Sequence, residues 1–221
     1  FYKKNHNQFD VVICEGLLGS SGYKDPKILL KYLKHIVKKK GSLIITCEDE
    51  VGFLSEQLKR LVTKKILHEF RVKNNFEEKI NFLKPYFNIH LESFKGGSKR
   101  KINDWIADVL ISPALDTPFL RISDAIKKLK NSFRTIGTSP RITGELIYYK
   151  VASKISSDFE NDSVLKSYHV NIVNYIDYRI EPKHVSAKLS KKIFLQCKNI
   201  CREIQNIKNI NKKSLINIIK K

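Results

Sequence analysis

The sequence predicts an α/β fold with a parallel sheet near the amino end, a late antiparallel strand pair and an all-helical carboxyl-terminal extension. Two short apolar runs, at residues 10–14 and 42–47, have the continuous hydrophobic character of strands covered on both faces. An amphipathic segment separates them, which is the pattern of a βαβ unit. Beyond about residue 156 only helical periodicity remains.

The elements follow one another with recognisable boundaries. Asp25 suits a helix N-cap and Pro26 the first helical position. The lysines at residues 38–40 suit a last helical turn, and Gly41 predicts the end of this helix. The second strand then ends in the acidic residues 48–50.

Further along, helical patterns alternate with breaks. A helix is predicted around residues 54–62, and residues 70–95 read as helical but broken at Pro85. A segment containing Trp105 and a capped helix at residues 123–130 follow. Residues 133–139 and 146–151 predict the antiparallel pair, and residues 165–178 and 187–207 the main carboxyl-terminal helices.

The composition limits the classes of function that this chain can have. The 221 residues suffice for one α/β domain with an appendage, and no apolar run approaches the ~20 residues of a membrane span. Four cysteines without zinc-ligand spacing indicate buried thiols in a reducing compartment, so we expect a cytoplasmic protein without a metal site.

The net charge of +20 makes nucleic acid a partner to consider. Only eight of the 42 basic residues are arginine, however, and they form no stripe interleaved with aromatic residues. The composition therefore favours a solvated lysine surface over a site for a polyanion.

The order of elements resembles the second half of class I S-adenosylmethionine-dependent methyltransferases. Phe-Asp-Val-Val at residues 9–12 is similar to that family's fourth strand, and Lys-Gly-Ser at residues 40–42 to the turn before its fifth. Residues 98–150, with an Arg-Lys-Ile-Asn-Asp-Trp segment and a late Ser-Pro, resemble a group of bacterial methyltransferase-domain proteins.

The resemblance implies a partial Rossmann-like methyltransferase domain at residues 1–155 and a helical extension at residues 156–221. The glycine-rich loop and acidic strand end that hold most of the cofactor in that family are not found here. On this basis we expect the amino-terminal cofactor-binding half to be missing from this chain.

The resemblance also implies site residues. Cys14, Glu15 and Gly16 would lie beside the methyl group of S-adenosyl-L-methionine, with Glu15 as the catalytic group that orients or deprotonates the acceptor. Ligands of open parallel sheets bind outside the carboxyl ends of the strands, which agrees with this placement. Glu15 could equally cap the next helix, and Gly16 is better explained as a turn glycine.

A substrate-binding region is expected around Arg100, Trp105 and Asp108, for a small-molecule or glycan-type acceptor. The competing interpretation, which the pattern favours, is a buried indole whose flanking charges face solvent. Two other function classes stay open: a basic nucleic-acid-binding or RNA-modifying protein, and another nucleotide-binding α/β enzyme.

Overall fold

A computed structural model describes residues 6–18, 25–93, 100–116, 119–139, 157–176 and 183–207. Strands β1 (Phe9–Cys14) and β2 (Val37–Ile45) lie side by side and run parallel. Helix α1 (Pro26–Ile36) connects them, so the predicted βαβ unit is confirmed. Cys14 pairs with Ile45, which brings the carboxyl ends of both strands to the same edge.

Helix α1 begins where the sequence predicts. Oδ1 of Asp25 accepts hydrogen bonds from the backbone N–H groups of Lys27 at 2.9 Å and Ile28 at 3.4 Å. Pro26 occupies the first helical position, where a backbone N–H is not needed. Leu30 is 1% exposed and anchors the apolar face of the helix in a cluster that also contains Cys14.

The predicted end of this helix is wrong. Helix α1 ends at Ile36, and residues 38–40 belong to β2. Opposite Asp10 the pairing of the strands is irregular and β2 bulges, with a φ of 69° at Lys40. Gly41 is needed there for its small size, because a Cβ at this position would lie 2.8 Å from the carbonyl oxygen of Asp10.

The two faces of the sheet have different surroundings. Val12 and Cys14 are buried, in the clusters that also contain residues of α1. Val11, Ile13 and Ile44 point to the other face and are 55%, 66% and 52% exposed. Helix α1 therefore covers one face, and the opposite face presents branched apolar side chains to solvent.

Helices dominate the middle of the chain. They are, in order, α2 (Leu54–Glu69), α3 (Phe76–Glu92), α4 (Ile102–Trp105), a π-helix (Ile106–Ile111), a 3₁₀ turn (Pro113–Asp116) and α5 (Ile122–Leu129). Leu83, Trp105 and Ile106 belong to one hydrophobic cluster, against which side chains of α2 also pack. This cluster is separate from the one that contains Cys14.

The predicted break at Pro85 is wrong, because α3 runs through it. Pro85 itself is exposed, whereas Leu83 and Phe87 on the other side of the helix are 0% and 7% exposed. Burial of that apolar face therefore outweighs the ~3 kcal/mol that a proline in a helix interior costs.

A buried arginine joins α2 to the π-helix and to the segment that follows it. The side chain of Arg60 is 1% exposed. Its Nη1 donates to the carbonyl oxygen of Val109 at 3.1 Å, and its Nη2 donates to that of Ser112 at 2.9 Å and to Oδ1 of Asp116 at 3.0 Å. The guanidinium thus fixes the 3₁₀ turn against α2 with charge-assisted hydrogen bonds.

The predicted strand at residues 133–139 is wrong, since residues 133–138 are in no strand. The side chain of Asn161 instead forms hydrogen bonds with the backbone groups of these residues. Its Oδ1 accepts from the N–H of Thr135 at 2.9 Å, and its Nδ2 donates to the carbonyl oxygen of Phe133 at 3.1 Å. The other member of the predicted pair, residues 146–151, lies outside the described residues.

The described part of the chain after residue 156 has only helical regular structure, as predicted. It consists of α6 (Ser157–Val170), a 3₁₀ turn (Ile172–Tyr175) and α7 (Ala187–Asn206). Tyr168, Ile172 and Cys197 form a hydrophobic cluster with Val51, which follows β2. The described residues therefore form a mixed α/β structure with a two-stranded parallel sheet and seven α-helices.

Candidate functional site

The loops after the two strands are tied together at the carboxyl edge of the sheet. The backbone N–H of Thr46 donates to the carbonyl oxygen of Cys14 at 3.2 Å. The N–H of Gly16 donates to Oγ1 of Thr46 at 2.7 Å, and Gly16 has a φ of 70°, which favours glycine. The residues expected to form a cofactor site thus lie at this edge, in a short turn with defined geometry.

These residues differ in what they offer a ligand. Glu15 is exposed at the edge. The thiol of Cys14 is packed with Leu18 and Leu30, and burial raises its pKa. Glu15 is therefore the ionisable group of this turn that a ligand in solvent can reach, whereas the Cys14 side chain belongs to the core.

The acidic residues after β2 are engaged in the fold. Oδ1 of Asp49 accepts hydrogen bonds from the N–H groups of Val51 and Gly52, both at 2.9 Å. Oδ2 of Asp49 accepts from the hydroxyl of Tyr168, 119 residues further along the chain. Asp49 thus organises the turn into α2 and also holds α6.

Glu50 lies beside Asp49 and is 8% exposed. Its Oε2 is 3.7 Å from Nε of Arg121, and Nη2 of the same arginine is 3.1 Å from Oδ2 of Asp124. Burial raises the pKa of Glu50, and the charge of Arg121 opposes that shift. The carbonyl oxygen of Glu50 accepts from the thiol of Cys201 at 3.4 Å. The end of β2 is therefore linked to both α5 and α7.

Two tyrosines lie next to these acids, and the sequence did not identify them as candidate site residues. The rings of Tyr168 and Tyr175 stack with centroids 5.4 Å apart and an interplanar angle of 14°. Burial and the nearby charge of Asp49 raise the pKa of both phenols. Their spacing of seven residues is typical of one face of a helix, but nothing local in the sequence indicates Asp49 as their neighbour.

Among the residues expected to bind the acceptor, Trp105 lies inside a hydrophobic cluster. Trp105 is 8% exposed, with its ring centroid 5.9 Å from those of both Phe87 and His90. Arg100 forms an ion pair with Asp108 at the surface. The indole is thus part of the cluster formed by α3, α4 and the π-helix, which is the competing interpretation given above. Trp105 and Cys14 are in separate clusters.

The remaining thiols are also shielded. Burial raises the pKa of Cys47 to about 12 and that of Cys197 to about 11, and it raises the pKa of Cys201 as well. Since the thiolate is the nucleophile and metal ligand, these raised pKa values disfavour both roles for the three cysteines at neutral pH. Among the described residues, no group of three or more His, Cys, Asp or Glu side chains could hold a metal ion.

Two hollows open on the surface near α1. One, of about 370 Å³, is lined by Ile28, Lys31, Tyr32 and His35 on α1 itself. The other, of about 270 Å³, lies between α1 and α5 and is lined by Lys27, Asp124, Lys127 and Lys128. The second hollow is distinguished by its positive charge.

Comparison with known proteins identifies no relative of this chain. No protein-family model matches the chain, and no curated protein or solved structure matches it significantly. The comparisons assign the chain to no family. Within the described residues, no helix combines the length and apolar character required to cross a membrane.

Proposed function

We propose that this chain takes part in S-adenosylmethionine-dependent methyl transfer to an oxygen or nitrogen atom of a small-molecule or glycan-type acceptor. The observation that supports the proposal is the pair of parallel strands whose carboxyl ends meet at one edge, where Glu15 is exposed. Ligands of α/β folds bind at such an edge because the loops diverge there.

Glu15 would act on the acceptor. Methyl transfer requires alignment of the acceptor atom and at most one base for its proton. An exposed carboxylate at the strand end can accept a hydrogen bond from a hydroxyl or amine and then take its proton. S-adenosylmethionine, when bound, would supply the methyl group from its sulfonium and leave as S-adenosylhomocysteine.

The described residues fit the acceptor side of such a site and offer little to hold the cofactor. The thiol of Cys14 is buried, and the N–H of Gly16 already donates to Thr46. Cofactor binding would therefore depend on groups other than these two.

Calorimetric titration of the full-length protein with S-adenosylhomocysteine tests the proposal. We expect saturable binding, and transfer of a labelled methyl group from S-adenosylmethionine to acceptors in a cell extract. Glu15→Gln should retain binding and reduce transfer by about 10²-fold or more, as expected for loss of a general base. Glu77→Gln, an exposed glutamate of α3, is the matched control and should change neither. Absence of binding at millimolar ligand would refute the proposal.

A further inference from the structure

The basic hollow between α1 and α5 joins three lysines from two separate segments. Lys27 is in the first turn of α1, and Lys127 and Lys128 are in the last turn of α5. All three side chains line the same space of about 270 Å³. Residues 100 positions apart in sequence therefore contribute to one concave surface, which no run of the sequence indicates.

Within the described part of the chain, the three lysines of this hollow form no ion pair. Among the described residues, none of the three ammonium groups lies within 4.0 Å of a carboxylate oxygen. Asp124 also lines the hollow, but its Oδ2 is 3.1 Å from Nη2 of Arg121. Lys127 also affects His169, whose pKa is lowered by burial and by the charge of that lysine.

One side of the hollow, formed by Lys27, lies toward the edge of the sheet at which ligands are expected. Helix α1 follows β1, so its first turn lies toward the carboxyl end of that strand. The position of Lys27 thus agrees with a ligand-binding role.

Three ammonium groups that line one hollow can each donate hydrogen bonds to an anion that enters it. Lysine is a point charge with three donors and binds phosphate without the planar geometry that arginine requires. From the hollow and its unpaired lysines, we propose that Lys27, Lys127 and Lys128 bind a phosphate group. This inference stands independently of methyl transfer.

The test uses the full chain and two probes, inorganic pyrophosphate and a 20-nucleotide single-stranded RNA. Binding is measured by calorimetry and fluorescence anisotropy across a salt series. The triple variant Lys27→Gln, Lys127→Gln and Lys128→Gln removes the proposed site. The matched control carries the same change of charge at Lys73, Lys101 and Lys188, which are exposed on three other segments.

We expect the hollow variant to lose at least about tenfold in affinity for one of the probes while the control keeps wild-type affinity. For RNA, loss of three phosphate contacts should reduce the salt slope by about 2. If the hollow variant loses affinity for pyrophosphate alone, the ligand is a small phosphorylated molecule. If it loses affinity for RNA, the ligand is a nucleic-acid backbone.

Chemical labelling of amines gives a readout that does not need a variant. Bound probe should protect the three lysines of the hollow from acetylation more than it protects Lys73. Equal losses in the hollow variant and the control, equal protection, or no binding of either probe at low salt would each overturn the proposal.

Discussion

The hydrogen bond from Tyr168 to Asp49 provides a measure of how strongly the carboxyl-terminal helices hold the βαβ unit. Tyr168 is 3% exposed, so its hydroxyl cannot exchange this bond for one to water. A hydrogen bond to a charged acceptor makes a net contribution of ~1.5–3 kcal/mol to the free energy of unfolding. Tyr168→Phe keeps the ring and its stacking on Tyr175, so we expect a loss of about 2 kcal/mol in the free energy of unfolding.

Urea denaturation followed by circular dichroism is the assay, supported by a thermal melt. For a chain of this size, 2 kcal/mol corresponds to a decrease of ~4–8 °C in Tm. Asp49→Asn and the double variant complete a cycle, in which we expect a coupling of at least ~1 kcal/mol between the two side chains. Tyr86→Phe removes a hydroxyl from a residue that is 48% exposed, and it should change stability by less than ~0.5 kcal/mol. Additive effects in the cycle, or a Tyr168→Phe variant as stable as the Tyr86→Phe control, would refute the reasoning.

Three further predictions concern titration and packing. The free energy of unfolding should fall as pH rises above about 9 in a series of urea titrations, because the raised pKa values of Cys201 and Tyr168 let the unfolded state release protons that the folded state keeps; constant stability up to pH 10.5 would contradict this. Pro85→Ala should raise the free energy of unfolding by about 1–3 kcal/mol, since the helix gains a good helix former and a hydrogen-bond donor, and an unchanged or lower denaturation midpoint would count against the continuous helix. Ile13→Lys should change stability by less than ~0.5 kcal/mol, whereas Val12→Lys, one position away on the buried face, should cost more than ~3 kcal/mol; comparable losses in the two variants would show that both faces are covered.

The parts of the fold that were predictable depend on local signals. The apolar runs of β1 and β2, the N-cap at Asp25 and the proline after it lie within one stretch of 40 residues, and each favours the same βαβ unit. The end of α1 was not predictable in this way. Lysines at residues 38–40 followed by Gly41 suit a helix terminus, and only the closeness of β1 explains why they form a bulge.

Tertiary contacts explain the other differences. Pro85 lies within a helix because the opposite face is buried, and residues 133–138 are not a strand because Asn161 of α6 binds their backbone groups. The candidate site shows the same division. Glu15 could be placed at a strand end from sequence alone. The link from Asp49 to Tyr168 spans 119 residues, and no local pattern encodes it.

The shielded cysteines give the chain an internal set of reporters of its own opening. Cys14 and Cys47 belong to the βαβ part, and Cys197 and Cys201 to helix α7. Because burial raises the pKa of each thiol, alkylation should become faster when its surroundings separate. Brief exposure to iodoacetamide followed by peptide mapping would therefore measure when each part opens. Labelling at all four positions with one rate would mean that the two parts unfold together, and earlier labelling of the α7 pair would mean that the carboxyl-terminal helices detach first.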